Sequence, residues 1–211
     1  MEAVLHPAYF PPVTHFVAIA THSIVFETKD HYQKQTYRNR ACVQGPNGKQ
    51  LLTVPIKHTG KDGHQYYKDV KITYDFDWRK QHQKTLETIY RASPFFEFYE
   101  DEIMPVFRKK YTYLIEFNLE TIQLVCRCLQ LDFNFVETTL YETIINNALD
   151  LRVLSDAKTA IPFALERYDQ VFQEKHGFMA NLSILDLLFN KGSSAVSYLS
   201  RQKLSNASTG K

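Results

Sequence analysis

The chain of 211 residues carries 25 Lys and Arg against 23 Asp and Glu, is 44% hydrophobic and 14% aromatic, and holds only 7 Gly. No apolar run approaches the ~20 residues of a membrane helix, and Met1-Glu2 opens neither the basic nor the apolar region of a signal peptide, so a soluble, cytoplasmic protein without membrane insertion is expected. Residues 1 to 110 hold 16 Lys/Arg against 12 Asp/Glu and the rest 9 against 11, an asymmetry too mild for a nucleic-acid protein but suited to a small anionic ligand in the first half.

Ala3-Val4-Leu5 reads as a short strand ended by Pro7 and Pro11-Pro12. Val13 to Ala20 follows as a helix and Ser23 to Thr28 as a second strand, together a compact βαβ unit. Arg38 to Gln44 and Lys49 to Ile56 flank Gly45-Pro46-Asn47-Gly48, whose Asn-Gly favours a tight hairpin turn. Lys57 to Asp69, with two glycines and almost no aliphatics, reads as an exposed loop or flap, and Val70 to Tyr74 as a return to the sheet. From Asp75 the period becomes helical: Trp78, His82, Leu86 and Ile89 share one face.

Ser93-Pro94 reads as a helix start and Pro105 as a break. Thr112 would cap a helix with a stripe of Ile115, Leu119, Ile122, Cys126 and Leu129. Phe133 to Val136 is a candidate last strand. Ser183-x-x-Asp186 has the spacing of a capping box, Gly192 suits the stop, and Ser194 to Ser200 adds a short helix. The expected fold is α/β or α+β, an N-terminal βαβ-type mixed sheet with a largely helical C-terminal half. It forms one domain over residues 1–204 (1–75 α/β, 76–204 mainly helical), with 205–211 as a flexible tail.

Dinucleotide, P-loop, zincin, nucleophile-elbow and C-x-x-C motifs are absent from the sequence. The cysteines lack metal spacing, and Cys126-Arg127-Cys128 would point its thiols apart on a helix, so reduced packing residues and no metal site are expected. Cys42, between Ala41 and Val43, also reads as packing, with a thiol nucleophile as the weaker alternative. The sequence specifies neither a cofactor nor an oligomeric state.

Pro7-Ala8-Tyr9-Phe10-Pro11, Lys34-Gln35-Thr36-Tyr37-Arg38-Asn39-Arg40, Leu52-Thr53-Val54-Pro55-Ile56, Ser93-Pro94-Phe95-Phe96-Glu97, Tyr168-x-Gln170-Val171-Phe172 and the run His176 to Asn190 stand in the order seen in the WbqC-like family. The chain resembles that family over about residues 4 to 199. The resemblance implies a bacterial protein from loci for surface polysaccharide, particularly O-antigen, biosynthesis. It carries no settled reaction. This sequence departs from the pattern at His6 and Gln83, and the segment from Asp150 to Ile161 matches poorly.

The loop His6 to Pro12 leaves the carboxyl end of the first strand, where open α/β sheets bind ligands; Tyr9 is either a core aromatic or a ligand contact. Lys34, Arg38 and Arg40 crowd three cations into seven residues, and on an extended chain Arg38 and Arg40 share a face while Asn39 takes the other. Paired guanidiniums suit a phosphate or carboxylate. His82 is a core-edge histidine or the acid/base group, and Tyr90 lies just over two turns on. Gln170 and Asn181 suit sugar hydroxyls or a base edge.

The leading expectation is a transferase acting on a nucleotide-activated or amino sugar. His82 would move a proton, Lys34, Arg38 and Arg40 would hold an anionic moiety, and Tyr9, Asn39, Tyr90, Gln170 and Asn181 would contact substrate. The alternative is a non-catalytic module binding a glycan or a partner enzyme of the same pathway. An enzyme requires His82, Arg38, Arg40 and Asn181 to converge, whereas a binding module tolerates their dispersal.

Overall fold

The computed structural model describes residues 1–57, 65–158 and 164–204. The expected βαβ unit is present as β1 (Glu2–Leu5), α1 (Val13–Thr21) and β2 (Ser23–Phe26), with the strands parallel from Glu2↔Ser23 to Leu5↔Phe26. Their apolar residues run continuously rather than alternating, as in strands covered on both faces.

The hairpin also forms, from β3 (Arg40–Gly45) and β4 (Gly48–Thr53). Gly48 takes φ +98, the left-handed region a glycine enters without steric cost, while Asn47 remains at negative φ. The hairpin is a separate two-stranded sheet. Val70–Tyr74 joins neither sheet and makes only isolated bridges, Ile56↔Ile72 and Lys71↔Tyr113. Of the expected loop Lys57–Asp69, residues 58–64 lie outside the described residues. The remainder is not a bare loop, because Tyr67 is fully buried within a 3₁₀ turn.

Two further strands come from downstream of residue 75. β5 (Phe135–Glu137) pairs with β2 and β6 (Leu149–Asp150) with β1, both parallel, giving the order β5-β2-β1-β6. Strand order therefore runs away from β1 in one direction through β2 and β5, and resumes on its other side with β6. In open α/β sheets a crevice forms where the order reverses, outside the carboxyl ends of the strands.

The helical part comprises α2 (Trp78–Tyr90), α3 (Phe96–Ile103), α4 (Leu114–Cys128), α5 (Gln173–His176), α6 (Ile184–Lys191) and α7 (Ser194–Arg201). Trp78, His82, Leu86 and Ile89 of α2 are all buried, so the sequence periodicity marks its core face. Pro105 ends α3 by opening a 3₁₀ turn, Met104–Phe107. Two starts differ from expectation. Ser93 donates its hydroxyl back to the Tyr90 carbonyl and so closes α2, while α3 begins after Phe95. α4 begins after Tyr113, whose backbone N–H donates to Glu116.

One apolar cluster runs from Ala3 and Phe16 through Trp78, Phe117 and Ile122 to Leu185 and Tyr198, joining the sheet and the helices. The C-terminal helices lock the loop after β1. Ser183 donates its hydroxyl to the Phe10 carbonyl, Val13 N–H donates to Leu182, and Ile184 N–H donates to Pro11. Phe10 sits at φ +35, a conformation a bulky residue keeps only when its surroundings hold it there.

Candidate functional site

A cavity of about 290 Å³ opens at the carboxyl ends of β1 and β6. His6, the first residue after β1, forms one wall. Asp30 and Arg38 come from the chain after β2, Asp150 and Arg152 from the end of β6 and the turn that follows it, and Tyr141 from the segment between β5 and β6. The sheet topology alone brings these distant positions together.

At the floor, Arg38 is 1% exposed although its guanidinium is always charged. Its Nη2 donates to Asp30 Oδ2 at 2.6 Å and its Nη1 to the His31 carbonyl at 2.9 Å, and the guanidinium lies 4.9 Å over the Tyr67 ring. Tyr67 in turn donates to the Pro7 carbonyl and accepts from Asn118. Burial works against an ionised Asp30, but its contacts with His6 and Arg38 outweigh that and hold its carboxyl below the ordinary range.

His6 Nε2 lies 2.9 Å from Arg38 Nη2 and 3.0 Å from Asp30 Oδ2, while Nδ1 is 3.4 Å from the Arg152 carbonyl. One nitrogen cannot accept from Arg38 and donate to Asp30 at once. Nε2 therefore bonds to Asp30 when protonated and to Arg38 when bare, with the proton then on Nδ1 facing Arg152. Burial and the Arg38 charge lower the His6 pKa, which keeps the ring neutral near pH 7 and leaves both tautomers accessible.

Opposite this floor, Arg152 clasps Asp150 through Nε at 2.9 Å and Nη2 at 2.6 Å. Ser155, which also lines the cavity, has its Oγ 3.5 Å from His15 Nε2 on α1. Burial drives the His15 pKa down to about 3, so this ring is neutral. No group of three or more His, Cys, Asp or Glu side chains able to hold a metal occurs among the described residues.

The candidates named from sequence fall into separate places. Arg38 reaches the cavity, but as a buried ion pair rather than as half of a phosphate clamp. Residues Tyr37–Asn39 form a 3₁₀ turn, which breaks the strand alternation that would have put Arg38 and Arg40 on one face. Arg40 is half-buried at the start of β3, Lys34 is exposed, and neither lines the cavity. Asn39 donates to the Val54 carbonyl and ties the hairpin to the turn before it.

Tyr9 and His82 do meet, with the Tyr9 hydroxyl 2.9 Å from His82 Nδ1, but inside the aromatic core among Trp78, Phe107 and Phe117. Burial lowers the His82 pKa to about 4. Asn181, at φ +56, accepts the Thr14 backbone N–H with its Oδ1 and so caps α1. Tyr90 and Gln170 belong to a second buried cluster. Asp186 accepts from the Tyr90 hydroxyl (2.9 Å), the Tyr168 hydroxyl (2.8 Å) and Gln170 Nε2 (3.1 Å). Ser183 caps α6 through the Leu185 N–H, but Asp186 turns inward and does not complete a capping box. Cys42, Cys126 and Cys128 are free thiols, and burial raises their pKa values to about 11, 12 and 11.

Asp30, Asp150, Arg152, Ser155 and His15 carry no motif in the sequence that marks them for this cavity, and His6 departs from the family pattern there. Only the position of His6 at the carboxyl end of the first strand was a readable signal.

Residues 6–164 match the model of the WbqC-like protein family. The chain belongs to this family. It is also similar to the uncharacterized protein Rv1507c of Mycobacterium tuberculosis (strain H37Rv), at 26% identity over 93% of this chain and 96% of that protein. No solved structure matches. The family match spans both walls of the cavity, from His6 to Asp156. Among the described residues no helix is long and apolar enough to cross a membrane.

Proposed function

We propose that this WbqC-like protein is an enzyme of surface-polysaccharide biosynthesis that transfers a group to or from a nucleotide-activated or amino sugar, and that the sugar occupies the cavity at the carboxyl ends of β1 and β6. The observation that carries this reading is the shared proton site at His6 Nε2, between a carboxylate and a guanidinium on the cavity floor. A neutral imidazole can take a proton from a sugar hydroxyl or amine, and return it, at the nitrogen that exchanges its Arg38 or Arg152 contact for the substrate. The acid/base role expected of His82 passes to His6, because His82 is walled in by aromatic rings. Both cavity arginines are engaged by carboxylates. The lining therefore favours a neutral or amine-bearing sugar, with any diphosphate outside.

The binding-module reading keeps one observation in its favour: His82, Arg40 and Asn181 do not line the cavity that Arg38 lines. One experiment separates the two. Nucleotide-sugars, free nucleotides, sugars and oligosaccharides are screened by thermal stabilisation against the wild type and Val153→Trp, which fills the cavity from a half-exposed position without disturbing the core. A ligand at one hundred times its Kd adds about 2.7 kcal/mol of stability. Stabilisation by a sugar or nucleotide-sugar, lost in Val153→Trp, supports the enzyme reading. Stabilisation by oligosaccharide alone, unchanged in Val153→Trp, overturns the cavity assignment.

A further inference from the structure

Around the polar cavity the chain exposes apolar side chains that its own core leaves unused. Residues 139–144, Thr-Leu-Tyr-Glu-Thr-Ile, are all exposed. Leu140 is 76%, Tyr141 50% and Ile144 71% exposed, and Val153 42%. Tyr141 and Val153 line the cavity itself. Single exposed apolar side chains are ordinary on a protein surface, but two that line a cavity, with Leu140 and Ile144 exposed on the segment that carries one of them, mark a binding surface.

This rim is built rather than frayed. Arg152, anchored on Asp150, donates Nη1 to the Glu142 carbonyl at 2.7 Å and Nη2 to the Thr143 carbonyl at 3.0 Å, and its guanidinium lies 5.6 Å from the Tyr141 ring centroid. The same arginine that forms the cavity wall thus fixes the backbone between Leu140 and Ile144. Three of the four rim side chains are aliphatic and carry no donor or acceptor, so they cannot read a base edge or a peptide backbone. The stretch 138–148 contains no Lys or Arg, which removes the attraction an anionic membrane surface would require.

Resting on the sugar-cavity reading above, we propose that the substrate is amphiphilic: a sugar whose polar body enters the cavity and whose covalently attached aliphatic chain lies on Leu140, Tyr141, Ile144 and Val153. Continuity of the rim with the cavity wall assigns both surfaces to one molecule. The chain is either an alkyl aglycone or an acyl substituent, since both offer the same methylenes to this surface.

The test is calorimetric titration of methyl, butyl, hexyl and octyl glycosides and the matching N-acyl hexosamines, below their micelle concentrations. The head groups are hexoses and hexosamines. Each methylene laid on the rim is expected to lower Kd roughly two- to fourfold, the upper figure corresponding to about 0.8 kcal/mol for full burial. The double variant L140S/I144S, altered only at exposed positions, is expected to flatten that dependence while leaving the Kd of the methyl glycoside unchanged. The series with the steeper dependence identifies how the chain is attached. Binding of the methyl glycoside with no dependence on chain length overturns the amphiphile proposal and leaves the sugar cavity standing. An undiminished dependence in the double variant also overturns it, as does tighter binding of a nucleotide-sugar than of any alkyl or acyl sugar. Failure of every glycoside to bind overturns the sugar reading itself.

Discussion

Asp186 and Asp30 are both buried carboxylates, at 1% and 5% exposure, yet their surroundings differ in kind. Asp186 lies among Tyr90, Tyr168 and Gln170, with three neutral donors and no cation, and burial raises its pKa to about 6. Asp30 meets a guanidinium and an imidazole, and its pKa falls. The Asp186 cluster is closed by neutral partners and knits α2, α6 and the 168–170 segment together. The Asp30 cluster holds a charge pair beside a cavity and leaves Asp30 Oδ1 and Arg38 Nε without hydrogen-bond partners. Buried unpaired polar atoms cost about 1–3 kcal/mol each.

That contrast breaks first at Asp30. Asp30→Ala strands the Arg38 charge in the interior and is expected to cost about 3–5 kcal/mol, read from urea denaturation; a loss under 1 kcal/mol would mean Arg38 is solvated and the ion pair incidental. Asp186→Ala removes the common acceptor of three donors but strands no charge, and about 3 kcal/mol is expected in the same assay.

The two carboxylates also respond to pH with opposite sign. The folded-state pKa of Asp186 is raised from 3.8 to about 6, so its contribution is fully present below pH 3.8 and is lost as pH rises through about 6, a swing of about 2–3 kcal/mol at most. Asp30 and His6 have lowered folded-state pKa values. Asp30 stabilises above 3.8 and that contribution is lost as pH falls, and His6 likewise favours the fold above 6.5 and disfavours it below. Stability curves of Asp186→Asn should therefore lose the decline between pH 4 and 6 and keep the acid limb, whereas an unchanged decline would assign it to another group. The smallest effect belongs to the aromatic core, where Tyr9→Phe removes one hydrogen bond to His82 and should cost about 1 kcal/mol without altering ligand affinity.

What the sequence made legible was local. The βαβ unit follows from two short apolar runs separated by a proline-bounded helix, the hairpin from Pro-Asn-Gly, and the core face of α2 from four residues at helical spacing. The candidate site was less legible because its contacts span the chain. His6 meets Arg152 across 146 positions and His15 meets Ser155 across 140, and β6 is only two residues long, too short to show a strand pattern. Asp186 had the spacing of a capping residue, and only the arrival of Tyr90 and Tyr168 from other elements turns it inward. Arg38 carried the right chemistry for an anion, but the 3₁₀ turn and Asp30, eight residues earlier, commit its charge internally.

On the proposed function, the protein meets its substrate in the cavity at the carboxyl ends of β1 and β6, and not in the His82 core or the apolar hollow lined by Phe95, Phe98 and Cys128. A crystal structure of the protein soaked with the most stabilising sugar ligand tests it most directly. The account predicts a sugar ring within hydrogen-bond distance of His6 or Asp30, against Tyr141 and Val153. Density at Phe98 and Cys128, with the β1–β6 cavity unchanged, would contradict it.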